Sequence, residues 1–360
     1  MNARVAFRPG LTEVLEERVV MNRGGWSGVW HHRPSPPIHL APHTQTIGPI
    51  GTLGDSSTDE YRYYPPDRIV ARSWVELLSA TRGLNFGPFA HVSLGEPRNQ
   101  GYSHNWARSD ATTVGMIANQ LPGLADQVAR GQVRDVAILV GANDFLEVLY
   151  GVTQGALSTQ EAIALMPQVA ARASLNLGTA VNTILAASPD ARIVVSTINV
   201  MSLPIVVAGA AGVPLGEALL QATDQAVAQY NGLIRQVADS QPRVGLVDLA
   251  AASEQIAVSG VTSFPFGGTT IRLSTGNDFH NLFLADGIHP GTVGQGILAN
   301  LFVDAFNREF GTKVRPLSEH EIVKYAREAQ HLPPPLSVQA RWHAPIRLRP
   351  VHFRARAAWR

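Results

Sequence analysis

The stretch DVAILVGAND, Asp135 to Asp144, begins as a run of aliphatic residues and ends in a polar turn. An apolar run with no polar alternation marks a strand buried on both faces, the kind found in parallel sheets. Working outward, the same signature recurs at PIGTLG (49–54), RIVVSTINV (192–200) and RVGLVDLAA (243–251), and more weakly at HVSLG (91–95). Between these runs lie helical patterns. RIVARSWVELLSATRG (68–83) reads as an amphipathic helix stopped by Gly83, and 111–131 as a helix interrupted at Pro122. The segments 159–188, 214–240 and 292–311 read as long helices, the first bent at Pro167. Strands alternating with helices specify an α/β fold, a mostly parallel sheet with helices on both faces. No fixed-period repeat is present.

The 360 residues are 45% hydrophobic and 16% charged, enough to bury a sizeable core. Three regions are expected. Residues 1–45 form an irregular Pro/Gly/His/Trp-rich extension, 46–312 the α/β domain, and 313–360 a short helix followed by a Pro-rich basic arm. The short helix, 318–330, carries a capping-box pair, Ser318 and Glu321. Net charge is +1, yet residues 331–360 hold six arginines and no acid, which suits contact with an anionic surface or a solvated tail. No nucleic-acid partner is expected. The absence of cysteine excludes disulfides, thiolate metal sites and a thiol nucleophile. No run reaches the ~18 apolar residues a spanning helix needs. The N-terminus lacks the apolar core of a signal peptide, and its FRPGLTEVLEERVV segment resembles Leu-Glu-x-Arg segments of some bacterial envelope proteins.

Ligands of open α/β sheets bind at the carboxyl ends of the strands, so polar residues there are the candidates. Ser56 follows the strand at 49–54, Asn143 follows the strand at 135–140, and Asp286 and His289 precede the last long helix, all expected on loops. A serine hydroxyl needs a base to become a nucleophile, and imidazole titrates near neutral pH. Three-residue spacing in a turn lets Asp286 accept from His289 Nδ1–H, which fixes the tautomer and stabilises the imidazolium. The Asn143 amide can donate to a developing oxyanion. Ser57 is the alternative nucleophile, and His280, near Asn277 and Asp278, the rival base. GWSGV (25–29) lacks the second glycine of a nucleophile elbow, and HEIVK (320–324) lacks the second histidine of a zinc-protease helix. Tyrosines in DEYRYYPPDR (59–68) either wall a cleft or sit half-buried in a Pro-fixed surface loop.

GDSS (54–57), NWARSDATT (105–113), GAND (141–144) and DGIHP (286–290) resemble blocks I, II, III and V of the SGNH hydrolases, the GDSL esterase/lipase superfamily. The resemblance spans about 46–310. It implies a three-layer α/β/α sandwich with a flavodoxin-like five-stranded parallel sheet, and a serine esterase acting on small or carbohydrate esters with no metal or organic cofactor. It implies Ser56 as nucleophile, His289 as base and Asp286 as its orienter. The oxyanion hole would comprise the Ser56 and Asp110 backbone N–H groups and the Asn143 side chain. One position departs: Asp110 stands where relatives carry glycine. A carboxylate there opposes a developing oxyanion unless it turns away, toward Arg108 or another cation. The alternative is a catalytically impaired carbohydrate-binding or cell-surface module on the same scaffold.

Overall fold

Four parallel strands form the central sheet of the computed structural model, which describes residues 46–63, 68–90, 101–199 and 214–331. They are β1 (Ile50–Gly54), β4 (Asp135–Leu139), β5 (Arg192–Ser196) and β6 (Val244–Val247), adjacent in that order. Register runs from Ile50↔Asp135 to Gly54↔Leu139 and on through Val136↔Ile193 to Val194↔Gly245. All residues of β1, β4 and β5 are buried, as continuous apolar runs require. At the amino edge, Asp135 is fully buried and accepts from Arg192 Nε at 2.6 Å and Nη2 at 2.9 Å, so the charge is paired twice over.

The helices α1 (Trp74–Arg82), α2 (Thr113–Asn119), α3 (Leu121–Ala129), α4 (Ala142–Thr153), α5 (Thr159–Ala187), α6 (Glu217–Ser240), α7 (Leu249–Val258), α8 (Thr292–Phe310) and α9 (Glu319–Ala329) flank the sheet. One layer joins α3, α5 and α6; the other joins α1, α8 and α9. Trp74 of α1 stacks on Phe302 of α8, centroids 4.4 Å apart. Gly51 lets α3 close on β1, since a Cβ there would meet Leu124 Cδ1 at 2.2 Å.

The break at Pro122 is real: α2 ends at Asn119, and α3 takes the proline in its first turn, where a missing N–H costs nothing. Helix α5 runs unbroken through Pro167, and α9 carries the Ser318/Glu321 capping box. Helix α1 starts later than periodicity suggests. Arg68–Val70 is a separate 3-10 turn, and Ser73 is the helix N-cap. The run 243–251 divides into β6 and the start of α7. Two minor sheets complete the fold: β2 (Phe89–Ala90) with β3 (Gly101–Tyr102), and β7 (Ser263–Phe266), β8 (Thr269–Thr275) and β9 (Asn281–Phe283).

The expected five-stranded sheet has four strands among the described residues. Beside β1, the fifth position is taken by an extended segment that pairs only through the parallel bridge Thr52↔Asn105. Three hydrogen bonds hold it there: Thr52 N to His104 O, Trp106 N to Thr52 O and Arg108 N to Gly54 O, at 2.9–3.1 Å. It falls short of a strand because Gly54 N, which would continue the ladder to Trp106 O, donates to Gln120 Oε1 instead. The HVSLG segment, the N-terminal extension and the basic arm lie outside the described residues.

Candidate active site

Ser56 sits one residue beyond Asp55, where β1 leaves the sheet in a single helical turn. Asp55 O accepts from Thr58 N and Asp59 N, and Asp55 Oδ1 accepts from Ser57 N at 2.9 Å. The Ser56 N–H takes no part in this turn. Gly54 is needed because the turn packs closely: a Cβ would lie 2.7 Å from Leu139 O. Gln120, fully buried, clamps the same glycine through both backbone groups, Gly54 N to Oε1 at 2.9 Å and Nε2 to Gly54 O at 2.8 Å.

The segment beside β1 ends in a four-residue turn closed by Ala111 N to Arg108 O at 3.2 Å. Asp110 is its third residue and has φ 64°, the sole positive φ of a non-glycine residue among those described. A positive φ confined to that position is the type II pattern, which normally takes glycine. For a residue with a Cβ this conformation costs about 1 kcal/mol. The Asp110 carboxyl is exposed and forms no ion pair among the described residues. Arg108 turns instead to the carbonyls of Ala107 and Trp106, at 2.6 and 3.5 Å. The Asp110 N–H, like that of Ser56, makes no hydrogen bond among the described residues.

Asn143 lies in the first turn of α4, not on a loop. Its Nδ2 donates to Ala111 O at 3.0 Å, leaving the second amide hydrogen for another acceptor. The strand-to-helix junction depends on Gly141 at φ 120°, where a Cβ would meet the Tyr230 ring at 2.6 Å. Asp144 is structural: its carboxylate accepts from Thr113 N and Oγ1 at 2.8 and 2.7 Å, docking α2 on α4.

The Asp286/His289 pair forms as expected. Asp286 Oδ2 lies 2.6 Å from His289 Nδ1, while Oδ1 accepts from the backbone N–H of Ile288 and His289, both at 2.9 Å. Burial works against ionisation of Asp286, but the hydrogen bond and charge of His289 and the two N–H groups outweigh it and hold the carboxyl below its ordinary range. His289 Nε2 is buried and has no hydrogen-bond partner, so Ser56 Oγ and His289 are not bonded to each other. Such contacts often tighten only around substrate. His280, the rival base, is committed elsewhere: its Nδ1 lies 2.5 Å from exposed Asp278.

Two supporting residues carry no local sequence signal. The Tyr61 ring meets His289 edge-on, centroids 6.0 Å apart, and is 0% exposed. Tyr61 and Tyr63 are therefore packing groups, and neither walls a cleft; Tyr64 lies outside the described residues. Gln295 of α8 donates to Tyr61 Oη at 2.6 Å and Ser57 O at 3.1 Å, and accepts from Trp74 N at 2.9 Å. It ties the Ser56 turn and the histidine's neighbour to one helix. Its only mark in the sequence is a polar residue on the apolar face of TVGQGILANLF.

Asp55 is 3% exposed, and burial raises its carboxyl to about 6, against the lowering effects of the Ser57 N–H and His289. A carboxyl whose folded-state value exceeds its unfolded value of 3.8 binds more protons when folded, so its contribution to stability falls as pH rises from about 4 to 6. Asp55→Asn is expected to gain up to about 3 kcal/mol at neutral pH and to flatten stability across that window, as urea melts at pH 4, 5, 6 and 7 would show.

The sequence model of the GDSL-like Lipase/Acylhydrolase family matches residues 52–297, which contain every one of these candidate residues. The chain belongs to this family of hydrolases. Solved structures similar to it include phospholipase A1 from Streptomyces albidoflavus NA297 (18% identity, 72% of this chain and 100% of that one, TM-score 0.44). An extracellular lipase from Streptomyces rimosus (19%, 72% and 100%, 0.43) and a Clostridium thermocellum family 3 carbohydrate esterase (17%, 73% and 96%, 0.38) are also similar. No curated protein matches the chain. Among the described residues of this GDSL-family hydrolase, no helix is long and apolar enough to cross a membrane.

Proposed function

We propose that this GDSL-family hydrolase is a serine esterase that cleaves short-chain or carbohydrate O-acyl esters through an acyl-enzyme. Ser56 Oγ attacks the ester carbonyl carbon while His289 Nε2 takes its proton, and the alcohol then leaves with that proton. Water repeats the sequence on the acyl-Ser56 bond and releases the acid. Asp286 holds the ring and balances its charge. The N–H groups of Ser56 and Asp110 and the free hydrogen of Asn143 Nδ2 are the proposed oxyanion donors.

The observation that carries this reading is the Asp286–His289 pair, with Nδ1 engaged at 2.6 Å and Nε2 buried and uncommitted. An imidazole oriented on one nitrogen and unpaired on the other is poised as a base. Incubation with a fluorophosphonate should modify one equivalent of protein at Ser56, located by peptide mass spectrometry. Modification elsewhere, or none, contradicts the proposal.

A second reading, a glycan-binding module with little catalysis, is favoured by one feature. Asp110 brings a carboxylate and a strained φ of 64° to the proposed oxyanion site. Asp110→Gly separates the two: kcat for p-nitrophenyl acetate rises severalfold if the enzyme is merely slowed, and stays at background if the scaffold only binds.

A further inference from the structure

The three proposed oxyanion donors sit on three separate elements, and a chain of side-chain bonds joins them. Asn143 Nδ2 donates to Ala111 O at 3.0 Å, which ties α4 to the residue after Asp110. The residue before it, Ser109, donates its N–H to Asp59 Oδ2 at 2.9 Å. Asp59 closes the helical turn that carries Ser56, its own N–H bonded to Asp55 O at 3.0 Å. The bonds therefore run from the Ser56 turn through Asp59 and the 108–111 turn to Asn143.

Asp59 is fixed at both oxygens. It is 3% exposed, and Oδ1 accepts from Glu60 N at 2.9 Å, so the carboxylate cannot swing without losing a bond. It also stands where backbone pairing stops. Among the described residues, the segment beside β1 makes its last backbone bond to that strand at Arg108 N to Gly54 O, 3.1 Å. One residue later the hold passes to Asp59. Asn105 Nδ2, bonded to Thr58 O at 3.2 Å, anchors the segment further back. Arg68 Nη2 donates to Ser109 Oγ at 2.7 Å, but that bond acts through a rotatable side chain and not on the backbone. Asp110, at φ 64°, is strained, and a strained residue keeps its conformation only when its surroundings over-determine it. Asp59 on one side and Asn143 on the other supply that constraint.

We infer that Asp59 is a positioning residue: through Ser109 it sets the separation of the Ser56 and Asp110 N–H groups. The inference rests on the esterase reading above for its effect on rate, but not for its effect on structure. Both donors must lie within about 3 Å of the oxyanion, so a displacement of about 1 Å is costly. The charge of Asp59 works in the opposite direction, because a carboxylate near a developing oxyanion opposes it. A loss of rate on removing Asp59 therefore reports geometry, not charge.

Kinetics and crystallography test it together. Asp59→Ala is expected to lower kcat for p-nitrophenyl acetate about 10- to 100-fold with KM within about twofold, since these donors act on charge that develops only in the transition state. Asp59→Asn keeps one oxygen for two donors and should fall between; it decides the matter if the alanine protein does not fold. The penalty should shrink to less than about threefold in an Asp110→Gly background, because glycine holds a positive φ without help. An equal penalty in both backgrounds, a rise in KM alone, or an unchanged or increased kcat overturns the assignment. Crystal structures of the same variants need no turnover: Ser109 and Asp110 should move away from the Ser56 turn by about 1 Å. A 108–111 turn that stays in place overturns the assignment whatever the rates. Displacement of that turn in a protein whose unsubstituted form hydrolyses no ester supports the role of Asp59 in holding it and overturns the esterase reading alone.

Discussion

Ser56→Ala and His289→Ala are each expected to lower kcat for a short-chain ester by about 10⁴- to 10⁶-fold, with the double variant little worse than either alone. The two groups act in one step: the hydroxyl is not a nucleophile without the base, and the base has nothing to deprotonate without the hydroxyl. Asp286→Asn should cost less, about 10⁴-fold, because the ring keeps a hydrogen-bond partner but in the wrong tautomer. Asp286 Oδ1 also organises the loop through Ile288 N and His289 N, both at 2.9 Å, and an asparagine oxygen can retain those two bonds. Stopped-flow release of p-nitrophenol checks the series, with thermal melts to show that each variant is folded. Unchanged turnover in Ser56→Ala would remove the nucleophile assignment, and additive losses in the double variant would remove the shared step.

The parts of this molecule legible in its sequence are those set by local pattern. Residues 136–140 read as a buried strand because every side chain is aliphatic, and four such runs interleaved with helices specify a parallel sheet. The Asp286/His289 contact was legible because three-residue spacing in a Gly-containing turn leaves few geometries. GAND reads as turn chemistry and so puts Asn143 on a loop, yet Gly141 absorbs the turn at φ 120° and the helix begins at once. Strands β7 to β9 carry no continuous apolar run: β7 and β9 are short, β7 turns Ser263 and Pro265 outward, and the seven-residue β8 is mostly polar and partly exposed. Tyr61, Gln120 and Gln295 were beyond reach for another reason. Gln295 bonds across 221 to 238 residues to Trp74, Tyr61 and Ser57, and no periodicity encodes such a pairing.

Glu76→Ala is expected to be the most destabilising of the simple substitutions around the site, by about 3–5 kcal/mol, lowering Tm by roughly 10 °C. Glu76 is fully buried, and its carboxylate accepts from Ser73 N at 2.9 Å, from Tyr61 N at 3.0 Å and from Arg62 Nε. Arg72 Nε adds a second cation at 3.8 Å. Burial, helped by the charge of Arg62, lowers the pKa of Arg72 against the pull of Glu76; burial also works to lower that of Arg62, where Glu76 outweighs it and raises the value. Alanine would therefore leave Arg62 Nε and two backbone donors without their shared acceptor and Arg72 without its counter-charge, and most of the cost is that desolvation rather than the value of the ion pair. Glu76→Gln keeps one acceptor oxygen and should fall between. The loss should be insensitive to salt, since buried pairs are little screened. It should also reach catalysis: Tyr61 is held by Glu76 through its N–H and meets His289 through its ring, so a Glu76→Gln protein still folded at the assay temperature should lose about 10- to 100-fold in kcat. A variant that melts early yet keeps full kcat below its transition would show that Tyr61 holds its place without Glu76.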